Sequence, residues 1–178
     1  MEIIKLKEIN DSIISRLSNE IFIYPTDTIY GIGCDAENKK LVEKIRKIKN
    51  RDPKPFSIIA PNTEYILQNF ETDKETIEKY LPGPYTLLLR KKKKDFLEYI
   101  SEGEYVGIRI PDHTFTKTLQ ETGKPIVTTS VNLSGEKPAN KIEEINKTIS
   151  EKVDLIIDAR ELSGKPSTLI KNGKILGR

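Results

Sequence analysis

Cysteine and histidine are almost missing from this chain: Cys34 is the sole thiol, His113 the sole imidazole, and there is no tryptophan. One thiol excludes a disulfide framework, and one of each excludes Cys/His zinc sites and multi-imidazole metal centres. Hydrolase chemistry built on a nucleophile beside a histidine is reduced to that one pair. Neither G-x-S-x-G nor G-x-x-x-x-G-K-[ST] occurs, so a nucleophile elbow and a Walker-type phosphate loop are excluded too. No continuous apolar stretch reaches membrane length, and the opening MEIIKLKEIN mixes charge with single apolar residues. The expectation is a chain without signal peptide or anchor, in a reducing, cytoplasmic setting with no membrane partner.

What is present suits one globular domain over 1–178. Of 178 residues, 36% are hydrophobic and 32% charged, enough apolar material for a core and charge too balanced for a self-repelling chain. Thirty Lys and Arg against 27 Asp and Glu leave +3, which permits anionic partners without announcing a nucleic-acid binder.

Periodicity predicts an opening amphipathic helix around Ile13, Ile14 and Leu17, then a buried strand over 21–24 stopped by Pro25. Leu41, Val42, Ile45 and Ile48 share one face of a helix over about 36–49, ended by Pro53 and Pro55. Strand-like runs follow over 57–60, 85–90, 105–110, 126–129 and 155–158, with helical patterns over 72–80, 114–122 and 141–150. Asn172-Gly173 between 168–170 and 174–176 is a hairpin signal. Strands alternating with helices, plus a terminal hairpin, indicate an α/β fold on a mixed sheet with an antiparallel edge.

Four regions could carry chemistry. The segment 24–33, YPTDTIYGIG, leaves a strand through proline and reaches two glycines while carrying small hydroxyls and a carboxylate. It is either a ligand loop or a connection with Asp27 or Thr28 capping. Gly31, Gly33 and Ala36 fit a loose dinucleotide fingerprint, but they follow the strand too late for its tight turn. Lys49 and Arg51 end the amphipathic helix before a stiff Pro-rich turn, where they suit polyphosphate oxygens or merely complement the helix dipole. Arg109 lies opposite the Val106, Ile108 and Ile110 face of its strand, either solvated or facing a pocket that would suit a carboxylate. Thr128, Thr129, Ser130 and Asn132 cluster at a strand's end, where donors can take phosphate and ribose or cap their own turn; Ser167 and Thr168 pose the same choice. His113 reads as a turn histidine. With no covalent machinery in sight, the chemistry left is positioning plus fixed positive charge, the mode of phosphoryl and nucleotidyl transfer.

In order, YPTDTIYGIG (24–33), KNR (49–51), LPGPYTLLL with VGIRIPDH (81–89 and 106–113) and TTSVNLSG with ST (128–135 and 167–168) resemble the Sua5/YrdC/YciO family. The likeness spans nearly the whole chain. It implies a single-domain twisted mixed sheet with flanking helices around a concave, positively charged cavity, without the additional C-terminal domain of longer Sua5 proteins. It implies a threonylcarbamoyl-AMP synthase, using L-threonine, bicarbonate or CO₂, and ATP with Mg²⁺ for modification of adenosine 37 in tRNA. By that resemblance Lys49, Arg51, Ser130, Asn132, Pro138 and Arg178 bind ATP, with Lys49 and Arg51 also catalytic, while Thr28, Arg109, Thr128 and Ser167 bind threonine. Downstream threonylcarbamoyl-transfer proteins would be partners, and tRNA or double-stranded RNA could bind the basic run 90–94. Two departures stand out: many members read R-P-x-x-x-P-L-I-V-H where this chain reads RDPKPFSII with Ile59 in place of histidine, and Arg178 follows ILG rather than preceding Pro-Gly. A YciO-like enzyme with a related substrate, or a non-catalytic RNA-binding module, is the alternative.

Overall fold

The computed structural model describes residues 1–50 and 54–176, so the expectations for Arg51 and Arg178 lie outside the described residues. Among the described residues eleven strands form: β1 (Glu2–Lys5), β2 (Phe22–Tyr24), β3 (Gly31–Gly33), β4 (Ser57–Ile59), β5 (Phe70–Glu71), β6 (Tyr85–Lys91), β7 (Tyr105–Arg109), β8 (Ile126–Ser130), β9 (Leu155–Asp158), β10 (Thr168–Lys171) and β11 (Lys174–Leu176). Helices α1 (Asp11–Leu17), α2 (Lys39–Ile48), α3 (Thr63–Asn69), α4 (Lys74–Tyr80), α5 (Thr114–Glu121) and α6 (Lys147–Ser150) each begin at a polar cap. Asn10, Asn38, Asn62, Asp73, His113 and Asn146 all accept a backbone N–H of the first turn.

The strands lie in the order β1-β9-β2-β3-β8-β4-β7-β6-β10-β11, with β5 beside β6. β1 with β9, β2 with β9, β4 with β7 and β6 with β10 are parallel, and the remaining pairs are antiparallel. The mixed sheet and its antiparallel β10–β11 edge match the sequence expectation. Asn172 and Gly173 have φ of 50° and 72°, the left-handed pair that a two-residue hairpin of this hand requires.

Period-two alternation splits the sheet into two buried faces. Ile23, Ile32, Ile58, Ile108, Val127 and Ile156 turn to one side and pack with Val42, Ile45, Ile66, Ile77 and Ile149 from the helices. Phe22, Tyr24, Ile59, Ile126, Leu155 and Ile157 turn to the other and pack under α1 and α5 through Leu17, Phe115 and Leu119. Each fully buried side chain of this size contributes about 1.5–3 kcal/mol. The second core stops partway along the sheet. On that same face Ser57, Gly107, Arg109, Thr128 and Thr86 follow by register, and here the surface turns polar and concave.

Three local expectations change. The helix over 36–49 starts later, because the Asp35 carboxylate accepts the Glu37 N–H in a turn and Asn38 provides the cap; it ends before Asn50, whose φ is 45°. The helix over 141–150 is broken into a 3-10 turn, Ile142–Glu144, and α6, with Ile145 extended between them because Asn146 caps a new start. Gly31 and Gly33 are not a loop but the strand β3, antiparallel to β2, which also removes the strand-turn-helix geometry that a dinucleotide fingerprint needs.

Candidate active site

A cavity of about 280 Å³ opens where the polar part of the sheet face meets the loop after β2 and the segment before β10. Segments from across the chain contribute. The loop supplies Thr28, β7 supplies Arg109, β8 supplies Thr128 and Ser130, and the C-terminal segment supplies Ser167, with Pro138 on the wall. These six residues were each expected at a threonine or nucleotide site, and they line one hollow.

The loop is shaped by its own hydroxyls. The Thr26 hydroxyl accepts the N–H groups of Thr28 and Ile29 at 3.1 and 3.3 Å and lies 2.8 Å from the Thr28 hydroxyl, so the chain turns back directly from β2 into β3. Tyr30 then ties the far wall to this loop: its hydroxyl donates to the Arg160 carbonyl at 2.7 Å and accepts the Ala159 N–H at 3.0 Å. Burial raises the Tyr30 phenol above its ordinary value and keeps it protonated for that donation. Gly164 completes the contact. A Cβ there would sit 2.1 Å from the Thr28 carbonyl oxygen, so no side chain fits between the two walls.

Arg109 carries the charged side chain among the described lining residues, and the residue is buried. Its Nη2 donates to Asp27 Oδ1 at 2.6 Å, Nη1 to the Thr28 hydroxyl at 3.3 Å and Nε to the Tyr85 carbonyl at 3.3 Å. The solvated reading of this arginine is therefore excluded. Asp27, in a loop that the sequence leaves open between ligand binding and self-capping, is the counter-charge of the pocket arginine. Thr86 was missed. It is 2% exposed on the cavity face of a leucine-rich strand, and its hydroxyl lies 2.7 Å from that of Ser167.

Lys49 and Asn132 sit beside the cavity rather than in its lining. Lys49 was expected to project its head from a stiff turn, yet it is 2% exposed, and its ammonium donates to the carbonyl of Ser130 and, at 2.7 Å, to that of Asn132. It thereby holds the strand-end loop whose Ser130 lines the cavity. The Asn132 amide donates to the Leu133 and Glu136 carbonyls at 3.0 and 2.9 Å, while its Oδ1 is buried without a hydrogen-bond partner among the described residues.

His113 caps α5 through Nδ1, which accepts the Phe115 N–H at 3.1 Å; it is a turn histidine, as expected. Ile59, in place of the family histidine, is buried in the second core. Of the basic run, Lys91 is 5% exposed and donates to the Ser101 carbonyl, Arg90 pairs with Glu104 at 3.0 Å, and Lys92 donates to the Leu67 carbonyl at 2.5 Å. Arg90, Lys92, Lys93 and Lys94 stay exposed, and Lys91 is the member of the run that turns inward. Among the described residues no cluster of His, Cys, Asp and Glu could hold a metal ion, and no helix is long and apolar enough to cross a membrane.

A family model for Sua5, YciO and YrdC, described as telomere recombination, matches residues 16–176. A Methanocaldococcus jannaschii protein, provisionally assigned as a threonylcarbamoyl-AMP synthase, is 38% identical over 184 residues, covering 96% of this chain and 87% of its own. A Pseudoalteromonas atlantica protein named threonylcarbamoyl-AMP synthase is 32% identical, covering 88% of each chain. Among solved structures, P. abyssi Sua5 complexed with L-threonine superposes with a TM-score of 0.85 at 25% identity over 98% of this chain; this chain spans 55% of that protein. E. coli YciO superposes with a TM-score of 0.79 at 26% identity, over 97% of this chain and 89% of its own.

Proposed function

The chain belongs to the Sua5/YciO/YrdC family, and from that premise we propose that it is a threonylcarbamoyl-AMP synthase acting on L-threonine, bicarbonate or CO₂, and ATP. The observation that carries the reading is the convergence of Thr28, Arg109, Thr128 and Ser167 on one cavity, in a fold shared with a Sua5 protein solved with L-threonine.

In this reading Arg109 takes the amino acid's carboxylate, for which a guanidinium fork is suited, and the three hydroxyls contact its polar groups. Ser130, Asn132 and Pro138 border the nucleotide, and Lys49 with Arg51 and Arg178 meets its phosphates. The threonine amine captures CO₂ as a carbamate, a carbamate oxygen attacks the α-phosphorus of ATP, and pyrophosphate leaves. No covalent nucleophile on the protein is required, in keeping with the near absence of cysteine and histidine. The chain's task is to hold two substrates in line, stabilise phosphate charge and keep water from a labile mixed anhydride. The described lining offers hydroxyls and no carboxylate cluster for a divalent cation, so no step is assigned to Mg²⁺. The product would pass to proteins that transfer the threonylcarbamoyl group to adenosine 37 of tRNA.

The test is ATP-dependent pyrophosphate formation in bicarbonate, comparing threonine, serine and no amino acid. Threonine-specific stimulation is expected. Pyrophosphate release that ignores the amino acid would favour a YciO-like activity, and RNA retention with no release at all would favour the binding module.

A further inference from the structure

Asp27 does not itself line the cavity, yet it organises two of the groups that do. Its carboxylate is used at both ends: Oδ1 accepts Arg109 Nη2 at 2.6 Å and Oδ2 accepts the Asp112 backbone N–H at 3.0 Å. Both side chains of the ion pair are nearly buried, 7% exposed for Arg109 and 8% for Asp27. Asp27 also directly precedes Thr28, whose hydroxyl accepts Arg109 Nη1. The carboxylate therefore bridges three pieces of chain: the loop after β2, the end of β7, and the turn that leads into α5.

We propose that Asp27 is a positioning residue for amino-acid recognition, fixing the plane of the Arg109 guanidinium and the Thr28 hydroxyl so that a substrate carboxylate meets them already aligned. The inference rests on the reading of this cavity as an amino-acid site. Two effects oppose each other when Asp27 is neutralised. An arginine without its counter-charge attracts a ligand carboxylate more strongly, which would tighten binding. Against this, the charge-assisted bond at 2.6 Å is the shortest of those that hold the guanidinium among the described residues; the bonds to Thr28 and Tyr85, at 3.3 Å, go to uncharged oxygens. Arginine regains rotamer freedom when that bond is lost, and that freedom must be removed again on binding. Thr28 is less firmly placed in the same event, because the loop keeps at most one of the two ties its carboxylate made. Loss of alignment at two contacts outweighs the gain of an unscreened charge at one.

Asp27→Asn is the informative substitution, since it keeps the shape but cannot accept at both ends: its amide nitrogen must face either the guanidinium or the Asp112 N–H. The expected result is a threonine Kd raised about 10- to 100-fold with the KM for ATP unchanged. Preference for threonine over 1-amino-2-propanol, which lacks only the carboxylate, is expected to shrink alongside. Asp27→Glu restores the charge and should bind threonine better than Asp27→Asn, and Asp27→Asn with Arg109→Lys should cost less than the two singles added. Threonine binding by Asp27→Asn that is unchanged or tighter overturns the inference, as does a Glu variant no better than the Asn one. The wild-type protein supplies a readout that needs no variant: the Arg109 side-chain N–H signals in NMR should be resolved and slow to exchange before threonine is added. A guanidinium averaged by free rotation in that state overturns the inference. Wild-type protein that binds no threonine overturns the site reading and this inference together, which separates the two failures.

Discussion

His113 is held neutral by what surrounds it. Burial against α5 and the β7 turn lowers its pKa below the ordinary 6.5, and Asp27 and Asp112 offset that only in part. The cap itself demands the neutral form, because a protonated Nδ1 cannot accept the Phe115 N–H. The sign follows from linkage. Below pH 6.5 the unfolded chain takes up a proton that the folded state refuses, so this contribution is fully present above 6.5 and is lost as pH falls through the folded pKa. His113→Asn keeps a good cap without a titrating group. Urea unfolding compared at about pH 7.5 and about pH 5.5 should show wild type losing more stability on acidification than the variant. Equal losses would show that the imidazole does not titrate on unfolding. The same residue scale shows what a sequence can and cannot display. Arg109 announced itself as a cation opposite an apolar strand face, whereas Asp27 did not, because nothing local distinguishes a carboxylate that caps its own loop from one that meets an arginine 82 residues away.

Elements were legible where one pattern dominated. The terminal hairpin was evident from Asn172-Gly173, and α2 from its apolar stripe, although its start depended on which of Asp35 and Asn38 acted as cap. β3 was not legible, since two of its three residues are glycines and only tertiary crowding explains them: a Cβ at Gly33 would lie 2.2 Å from the Val127 carbonyl oxygen. The 141–150 stripe misled for the opposite reason, since Ile145 and Ile149 are both buried, but Ile145 lies at the extended joint between the 3-10 turn and α6 rather than in a helix with Ile149. Lys49 links two elements that no periodicity connects, the end of α2 and the loop after β8. Lys49→Met keeps the stem and removes the donor, leaving the Ser130 and Asn132 carbonyls without that ammonium. A loss of about 1–3 kcal/mol in urea unfolding is expected, beyond any effect on ATP turnover. Turnover that falls with stability intact would assign the lysine to the nucleotide alone.

At the scale of the whole molecule the cavity belongs to no single element. Thr28, Arg109, Thr128 and Ser167 are spread over most of the chain and meet only because β3 pairs with β8, β4 joins β8 to β7, and β10 adds to β6 beside the cavity. That is why each motif taken alone stayed ambiguous in the sequence, and why only their order, through resemblance, pointed to a common site. The same architecture predicts how the protein responds to ligand. A molecule that contacts all four segments binds only the folded sheet, so its binding energy adds to global stability rather than to one loop. Threonine at about 100 times its Kd should stabilise by about 2.7 kcal/mol, which for a domain of this size raises Tm by roughly 5–10 °C. Amide exchange should slow together in 26–31, 105–109, 126–130 and 166–169. The amino alcohol without a carboxylate should produce neither change at the same concentration, since it cannot engage the arginine that joins the loop to β7. Protection confined to one of these segments would mean that the ligand rests on part of the cavity, and that the sheet does not close around it as a unit.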